Sequence, residues 1–197
     1  MIKVGITGSI GSGKSAVGRI LVENSYPVLD ADLLVHQLYA SHIGLRNAIA
    51  NRFGASYLLP EGIDRPAMKA LILKDSQART DLESLVYPIL EEHQNKWFQK
   101  QKDTHKIAFV EAALLYKLPD FVKTLSAIWV VQAPEEIRLQ RLQMRGLSKS
   151  DALSLIKLQK NQKPVEHPHI ECIQNDFSIE ILKNNIENKI KNLIFKP

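Results

Sequence analysis

Apolar residues occur in two kinds of run along the chain of 197 residues, and the two kinds predict different elements. Nearly continuous apolar segments at 1–7, 106–112 and 126–132 are typical of parallel strands that are buried on both faces. A shorter segment at 26–30 predicts a further strand, and we expect a last short strand around Phe177. Strands that alternate with helical segments in this way indicate an α/β fold with a central parallel sheet.

In the middle of the chain the apolar residues instead recur with helical spacing, and we find no strand-like run there. Pro88 is expected to kink or restart one of these helices. The segment is too long for a loop, so we expect a helical insertion at 39–105 on a core formed by 1–38 and 106–197. The first helical stripe consists of Leu45, Ala48, Ile49 and Phe53.

Composition and charge narrow the classes of partner. The net charge of +5 is modest, and no run of Lys and Arg is dense enough to indicate a nucleic-acid partner. The single cysteine, Cys172, excludes an intrachain disulfide and fits a reducing compartment. No apolar run approaches the length of a membrane span, and the N-terminal segment lacks the pattern of a signal peptide. We therefore expect a cytoplasmic protein with neither a nucleic-acid nor a membrane partner.

The segment 8–15 matches G-x-x-x-x-G-K-[ST], the phosphate-binding P-loop, and it stands between a predicted strand and a predicted helix. Glycines let the backbone turn its N–H groups toward an anion, and the N-terminus of a helix adds unsatisfied donors. Lys14 supplies a positive charge for the β- and γ-phosphates, and the Ser15 hydroxyl is a ligand for Mg²⁺. We expect the ATP phosphates to contact Gly11, Ser12, Gly13, Lys14, Ser15 and Ala16.

Three acids stand at the ends of predicted strands and are candidates for chemistry. Asp30 ends the strand at 26–30 and Asp32 comes just after it, at the sheet edge where open α/β folds bind ligands. A carboxylate there suits the orientation or deprotonation of an acceptor hydroxyl. The alternative is structural, in which Asp32 only caps the next helix and Asp30 only stabilises a turn. Glu111 ends another strand and is a candidate contact of Mg²⁺ through water.

Three arginines with helical spacing predict a lid over the nucleotide. Arg138, Arg141 and Arg145 fall on one face of a helix, and Gly146 ends that helix before another begins. Guanidinium groups bind phosphate oxygens, so we expect a mobile helical lid at about 138–165. The alternative is a solvated basic face.

Arg65 is a candidate contact of an anionic substrate, although a lone arginine is more often a surface residue.

Together these segments resemble the dephospho-CoA kinases. The P-loop follows Thr7, the triplet Asp30-Ala31-Asp32 stands about fifteen residues later, and Phe53-Gly54, Gly62-Ile63-Asp64-Arg65 and Gln140-Arg141-Leu142-Gln143-Met144-Arg145 resemble later family elements. The resemblance implies a P-loop NTPase three-layer fold with a central parallel sheet, an inserted helical domain that binds CoA and a helical lid. It also implies transfer of the γ-phosphoryl of ATP to the ribose 3′-hydroxyl of dephospho-CoA, the last step of coenzyme A synthesis.

The resemblance also implies roles for single residues. It makes Asp32 the general base, Lys14 and Arg141 catalytic contacts of the phosphates, and Arg145 a nucleotide contact. Asp30, Arg65 and Tyr87 are then expected to contact the acceptor, with Mg²⁺ bound at Ser15.

Several positions depart from the family pattern. Tyr87-Pro88 replaces His-Pro, Lys117 replaces an acid, and Leu155 replaces an arginine four residues before Gln159. Ser9 replaces a glycine, Ala113 a proline and His169-Ile170 an Ala-Asp pair, while Asn175 is retained.

These changes leave two other functions open. One is a kinase of another small molecule, such as a nucleoside or nucleotide, and the other is a regulatory protein switched by a nucleotide.

Overall fold

The computed structural model describes residues 1–160, 164–176 and 178–195. Strands and helices alternate along most of the chain, as the apolar pattern predicts. In chain order the elements are β1 (Ile2–Gly8), α1 (Lys14–Glu23), β2 (Val28–Asp30), α2 (Ala31–Ser41), α3 (Ile43–Phe53), β3 (Leu58–Leu59), β4 (Gly62–Ile63), α4 (Arg65–Lys74), α5 (Ser76–Gln101), β5 (Ile107–Glu111), α6 (Pro119–Lys123), β6 (Ala127–Gln132), α7 (Glu135–Met144), α8 (Lys149–Lys160), β7 (Ile170–Gln174) and α9 (Ile179–Phe195).

The chain forms two compact units, one from Met1–Leu29 together with the chain from Phe98 onward, the other from Asp30–Trp97. The helical insertion predicted at 39–105 falls mostly within the second unit.

A five-stranded sheet with strand order β2-β5-β1-β6-β7 lies at the centre of the fold. β1 pairs in parallel with β5 and β6, and β6 pairs in parallel with β7. The predicted α/β fold with a central parallel sheet is therefore confirmed.

The hydrophobic core of the first unit lies on one face of this sheet. Val4 is opposite Phe109 in the register of β1 and β5, and Ile6 is opposite Trp129 in the register of β1 and β6. Helices α1 and α9 contact each other and pack their apolar stripes on this face. On the other face, a Cβ added to Gly5 would lie 2.7 Å from Leu115, so the segment after β5 packs closely there. Helices α1 and α9, the sheet and the segment after β5 therefore form three layers.

Four helices and a short hairpin form the second unit. β3 and β4 pair antiparallel with only two residues each, so the prediction that this segment contains no strand is wrong. α5 continues through Pro88 over its 26 residues, and the predicted restart does not occur. Asp64 caps α4 by accepting a hydrogen bond of 2.9 Å from the Ala67 N–H. The core side chains include Leu45, Ile49, Met68, Leu82 and Val86.

Two further predictions are corrected at the edges of the sheet. The last strand lies at β7, before Phe177, and Phe177 itself is outside the described residues. β7 is an edge strand in which only Ile173 is buried, so it lacks the continuous apolar run of β5. The cap of α2 is Asp30, whose Oδ1 accepts a hydrogen bond of 2.9 Å from the Leu33 N–H. Asp32 therefore does not cap this helix and lies exposed in its first turn.

None of the helices within the described ranges is long and apolar enough to cross a membrane.

The packing of α9 gives a test of the core. Ile186 is 1% exposed in the core cluster, whereas Ile181 on the same helix is 43% exposed. Replacement of buried Ile186 by alanine leaves a cavity, so we expect Ile186→Ala to lower the free energy of unfolding by about 2–5 kcal/mol. Ile181→Ala is the matched control and should change it by no more than about 0.5–1 kcal/mol. Urea unfolding measures both, and equal losses would contradict the assignment of this face to the core.

Candidate active site

The P-loop connects the end of β1 to the start of α1. Gly11 and Gly13 have φ angles of +76° and +95°, the left-handed region in which a side chain is strained. Gly13 is also the N-cap of α1, and the Ala16 N–H donates to its carbonyl at 3.0 Å. This backbone path turns the loop at the N-terminus of α1, where helix amides are available to an anion.

Close neighbours make two of the loop glycines necessary. A Cβ on Gly13 would lie 2.0 Å from the Asn175 Nδ2, and one on Gly8 would lie 2.3 Å from the Val131 carbonyl oxygen. The Asn175 Nδ2 donates a buried hydrogen bond of 2.8 Å to the Ser12 carbonyl. The loop is therefore packed against the ends of β6 and β7, and a side chain at either glycine would displace it.

Lys14 and Ser15 make hydrogen bonds that fit their predicted roles. The Lys14 Nζ donates to the Gly8 carbonyl at 2.8 Å, so the ammonium group lies across the loop. The Ser15 hydroxyl donates to the Glu111 Oε1 at 2.9 Å. Glu111 ends β5 and is only 8% exposed, and the missing side chain of Gly18 leaves room for its carboxylate.

This hydroxyl and carboxylate are the oxygen groups that Mg²⁺ prefers. Among residues 1–160, 164–176 and 178–195, no cluster of three or more His, Cys, Asp or Glu could hold a metal without other ligands. A magnesium ion in a kinase site commonly keeps waters and substrate phosphates as its other ligands. The pair of Ser15 and Glu111 therefore fits a nucleotide-bound Mg²⁺ rather than an ion held by protein alone.

Two of the three arginines of the predicted lid contact the P-loop. The Arg141 Nη1 donates to the Ser12 carbonyl at 3.1 Å, and its Nη2 donates to the Asn175 carbonyl at 2.8 Å. The Arg138 Nε donates to the Ile10 carbonyl at 2.8 Å. Burial lowers the pKa of both Arg138 and Arg141, and for Arg141 the nearby charge of Arg145 lowers it further. Arg145 itself is exposed just after α7.

The two helices of the predicted lid, α7 and α8, contact the P-loop at Ile10. Besides its bond to Arg138, Ile10 donates its backbone N–H to the Gln159 Oε1 at 2.5 Å. Its side chain packs on a small apolar cluster formed by Leu142, Ala152 and Ile156, which the half-buried Leu139 and Leu147 also contact. Both α7 and α8 are thereby fixed to the phosphate loop.

The predicted acceptor residues lie in the second unit. Asp30 caps α2, and Asp32 and Arg65 are exposed. The Arg65 Nη2 lies 2.7 Å from the Nε2 of His36, which stands one helical turn after Asp32. The structure therefore brings Arg65 to α2, the helix that Asp30 caps and that carries Asp32 in its first turn.

Tyr39 and Tyr87 are two tyrosines of the same unit. Burial raises the pKa of Tyr39 to about 12, and the positive charge of Arg65 opposes that rise. Tyr87 is half-buried in α5.

Sequence reasoning gave no role to three residues that the structure brings forward, His36, Tyr39 and Asn175. It placed Arg138 in the predicted lid but not in its contact with Ile10. The spacing of His36 from Asp32 was a usable signal, because residues four apart share a helix face. Asn175 is 163 positions from its partner, so no local pattern could have shown that contact.

Gly13 offers a test of the loop geometry. Gly13→Ala would place a methyl group against Asn175 at a positive φ, so we expect at least a tenfold loss of ATP affinity in isothermal titration calorimetry. Gly146→Ala is the matched control, because Gly146 also has a positive φ, +88°, but no atom lies within 4 Å of its added Cβ. The control should lose about 1 kcal/mol of stability and keep its ATP affinity. Equal affinities of the two variants would contradict this account.

Comparison with known proteins identifies the family. The dephospho-CoA kinase model matches residues 2–180. The dephospho-CoA kinase of Geobacter sulfurreducens is 32% identical over 187 residues, which cover 93% of this chain and 94% of that protein. That of Synechococcus sp. is 34% identical over 177 residues, with 87% and 84% covered. The solved structure of TT1252 from Thermus thermophilus has a TM-score of 0.77 at 27% identity and covers 98% and 97%. The chain therefore belongs to the dephospho-CoA kinase family.

Proposed function

We propose that the chain transfers the γ-phosphoryl group of ATP to the ribose 3′-hydroxyl of dephospho-CoA in the cytoplasm. The observation that carries the proposal is the P-loop with its Ser15–Glu111 hydrogen bond, in a chain that the family model matches from residue 2 to residue 180. The loop supports ATP as the donor. The shared name of the relatives supports dephospho-CoA as the acceptor.

The donor phosphates would contact the backbone N–H groups of Gly11–Ala16, at the N-terminus of α1. Lys14 would exchange its contact with the Gly8 carbonyl for the β- and γ-phosphate oxygens. Its compact ammonium charge stabilises the negative charge on the transferring group. Because the backbone of the loop is already held in place, little reorganisation of the backbone N–H groups is needed when ATP binds.

Mg²⁺ fits beside these residues, with the Ser15 hydroxyl as a direct ligand and Glu111 holding that hydroxyl. When bound, the ion would neutralise charge on the phosphates. The buried carboxylate adds one negative charge beside the site and orients Ser15, as groups behind a metal ligand commonly do.

Asp32 would act as the general base. Asp30 is the cap of α2, and Asp32 lies exposed in the first turn of that helix. A carboxylate so placed can accept the proton of the acceptor hydroxyl as the new P–O bond forms. Arg65, supported by His36, would bind an anionic group of the acceptor, and Asp30 and Tyr87 would line the same part of the site.

Arg141 and Arg145 would act from the lid. Arg141 now donates to carbonyl groups of the loop and of Asn175, which hold the guanidinium group beside the phosphate site. Exchange of a carbonyl for a phosphate oxygen would give a stronger, charge-assisted hydrogen bond. Arg145 is exposed one turn away and would join it when the lid closes over the nucleotide.

The proposal is tested with purified protein, ATP, Mg²⁺ and dephospho-CoA, with products followed by mass spectrometry. We expect coenzyme A to form, and we expect Asp32→Asn to lower kcat by about 100-fold or more, the usual contribution of a general base. ATP affinity should be unchanged, because the substitution does not alter the P-loop.

Asp120→Asn is the matched control, because Asp120 is an exposed aspartate that pairs with Lys123 on α6. It should leave kcat unchanged. A wild-type protein that phosphorylates a nucleoside or nucleotide but not dephospho-CoA would refute the proposed acceptor. Near-normal turnover by Asp32→Asn would refute the base.

The role of Glu111 predicts a change in the magnesium requirement. Glu111→Gln keeps a hydrogen-bond acceptor for Ser15 but removes the negative charge, so we expect the Mg²⁺ concentration for half-maximal activity to rise about tenfold. Glu171→Gln is the control, because Glu171 on β7 pairs with Lys189 instead. Titration of activity with Mg²⁺ at saturating ATP measures both variants. An unchanged requirement in Glu111→Gln would contradict a role of this carboxylate at the metal.

A further inference from the structure

The first half of the P-loop is a tight turn. The Ser12 N–H donates to the Ser9 carbonyl at 3.1 Å, which places Ile10 and Gly11 at the centre of the turn. Gly11 has a φ of +76°, the conformation that a type II turn requires at its third residue. Among the residues that the structure describes, none accepts a hydrogen bond from the Gly11 N–H. This donor is therefore available to an anion at the loop.

Two side chains from outside the loop hold two successive peptide groups of this turn. Gln159 on α8 accepts a hydrogen bond of 2.5 Å from the Ile10 N–H, which fixes the peptide group between Ser9 and Ile10. Arg138 on α7 donates its Nε to the Ile10 carbonyl at 2.8 Å, which fixes the peptide group between Ile10 and Gly11. In a trans peptide group the carbonyl and the N–H that follows it point in opposite directions. The bond from Arg138 to the Ile10 carbonyl therefore also sets the direction of the Gly11 N–H.

The surroundings of Arg138 place it against the backbone of the turn. A Cβ on Gly11 would lie 2.8 Å from the Arg138 carbonyl oxygen and 3.1 Å from its Cα, so the first turns of α7 lie directly on the loop. The Arg138 Nη2 is buried and has no partner within the described ranges, so this part of the guanidinium group is not exposed to an arriving anion. Arg145, in contrast, is exposed. Arg138 is therefore placed to act on the loop rather than on the phosphates.

We propose that Arg138 and Gln159 are positioning residues of the phosphoryl transfer, which act through Ile10 and direct the Gly11 N–H toward the phosphates of ATP. The proposal rests on the proposed function for the donor, ATP, but not for the acceptor. Neither side chain needs to contact the nucleotide. A donor whose direction is fixed before binding does not have to be reoriented as charge develops on the transferring group.

Two substitutions of Arg138 separate positioning from direct binding of phosphate. Arg138→Gln removes the charge but keeps an N–H donor, because the Nε2 of glutamine is as many bonds from Cα as the Nε of arginine. Arg138→Met removes both the charge and the donor. We expect Arg138→Met to weaken the affinity for ATP with Mg²⁺ about tenfold, since one hydrogen bond to a charged group is lost, and Arg138→Gln to weaken it less than about threefold. Isothermal titration calorimetry measures both, and Arg19→Met, at an exposed arginine of α1, is the control that should leave the affinity unchanged.

Gln159→Met tests the other peptide group, because methionine is of similar length but has no oxygen to accept the Ile10 N–H. We expect the affinity for ATP with Mg²⁺ to fall about tenfold. In the free protein, the Ile10 amide hydrogen should exchange with solvent about tenfold faster by NMR, because its hydrogen bond is lost. A purely structural role would instead speed exchange at Phe109 in β5 by the same factor and leave the ATP affinity of the folded protein unchanged. Gln99→Met, at an exposed glutamine of α5, is the control and should change neither value.

The outcomes separate this proposal from the proposed function. If the wild-type protein binds ATP but makes no coenzyme A, the proposed acceptor fails and the variants still test the positioning of the loop. If the wild-type protein does not bind ATP, both proposals fail. Equal losses of affinity in Arg138→Gln and Arg138→Met would mean that the charge of Arg138 acts on the phosphates, and the positioning proposal would be wrong. An unchanged affinity in Arg138→Met or in Gln159→Met would also overturn it.

Discussion

The phosphate loop depends on one buried hydrogen bond, from the Asn175 Nδ2 to the Ser12 carbonyl. A glycine-rich loop loses much conformational freedom when it becomes ordered, so its shape must be held from outside. Asn175 does this from the end of β7, and its own N–H donates to the Gln132 carbonyl at the end of β6. The two strand ends and the loop therefore form one unit, and Arg141 is positioned by the same asparagine.

The positions of α7 and α8, the helices of the predicted lid, depend on the loop in turn. Ile10 is fixed on both its N–H and its carbonyl by side chains of α8 and α7, and its own side chain packs on the lid cluster. The hydrogen bonds are directional while the apolar contact is not, so together they set both the distance and the orientation of the two helices. Arg141 and the loop are thereby held by the same few residues, because Arg141 donates to the carbonyl groups of both Ser12 and Asn175.

The sequence allowed prediction of features that depend on neighbouring residues. The P-loop, α1 and the strands β1, β5 and β6 are of this kind, because each is a contiguous motif or a fully buried run. β7 was misplaced because an edge strand buries only one side chain, and the hairpin of β3 and β4 is too short to leave a pattern. Asp30 and Asp32 are the same residue type, and either could cap a helix. The sequence therefore could not show which one is the cap, and the start of α2 at Ala31 identifies Asp30. The Ser15–Glu111 bond spans 96 positions and needed the fold.

The residues that bind phosphate and those that recognise the acceptor are therefore subject to different constraints. Any P-loop kinase must hold the same polyphosphate, so Gly13, Lys14 and Ser15 specify a reaction but not a substrate. Discrimination among acceptors must come from groups that do not react, since those are what distinguish one hydroxyl-bearing substrate from another. The two faces of β6 make different contacts. Trp129 and Val131 pack in the core that supports the loop, while Val130 and Gln132 lie on the opposite face and line a cleft beside the P-loop, so the core does not constrain their side chains.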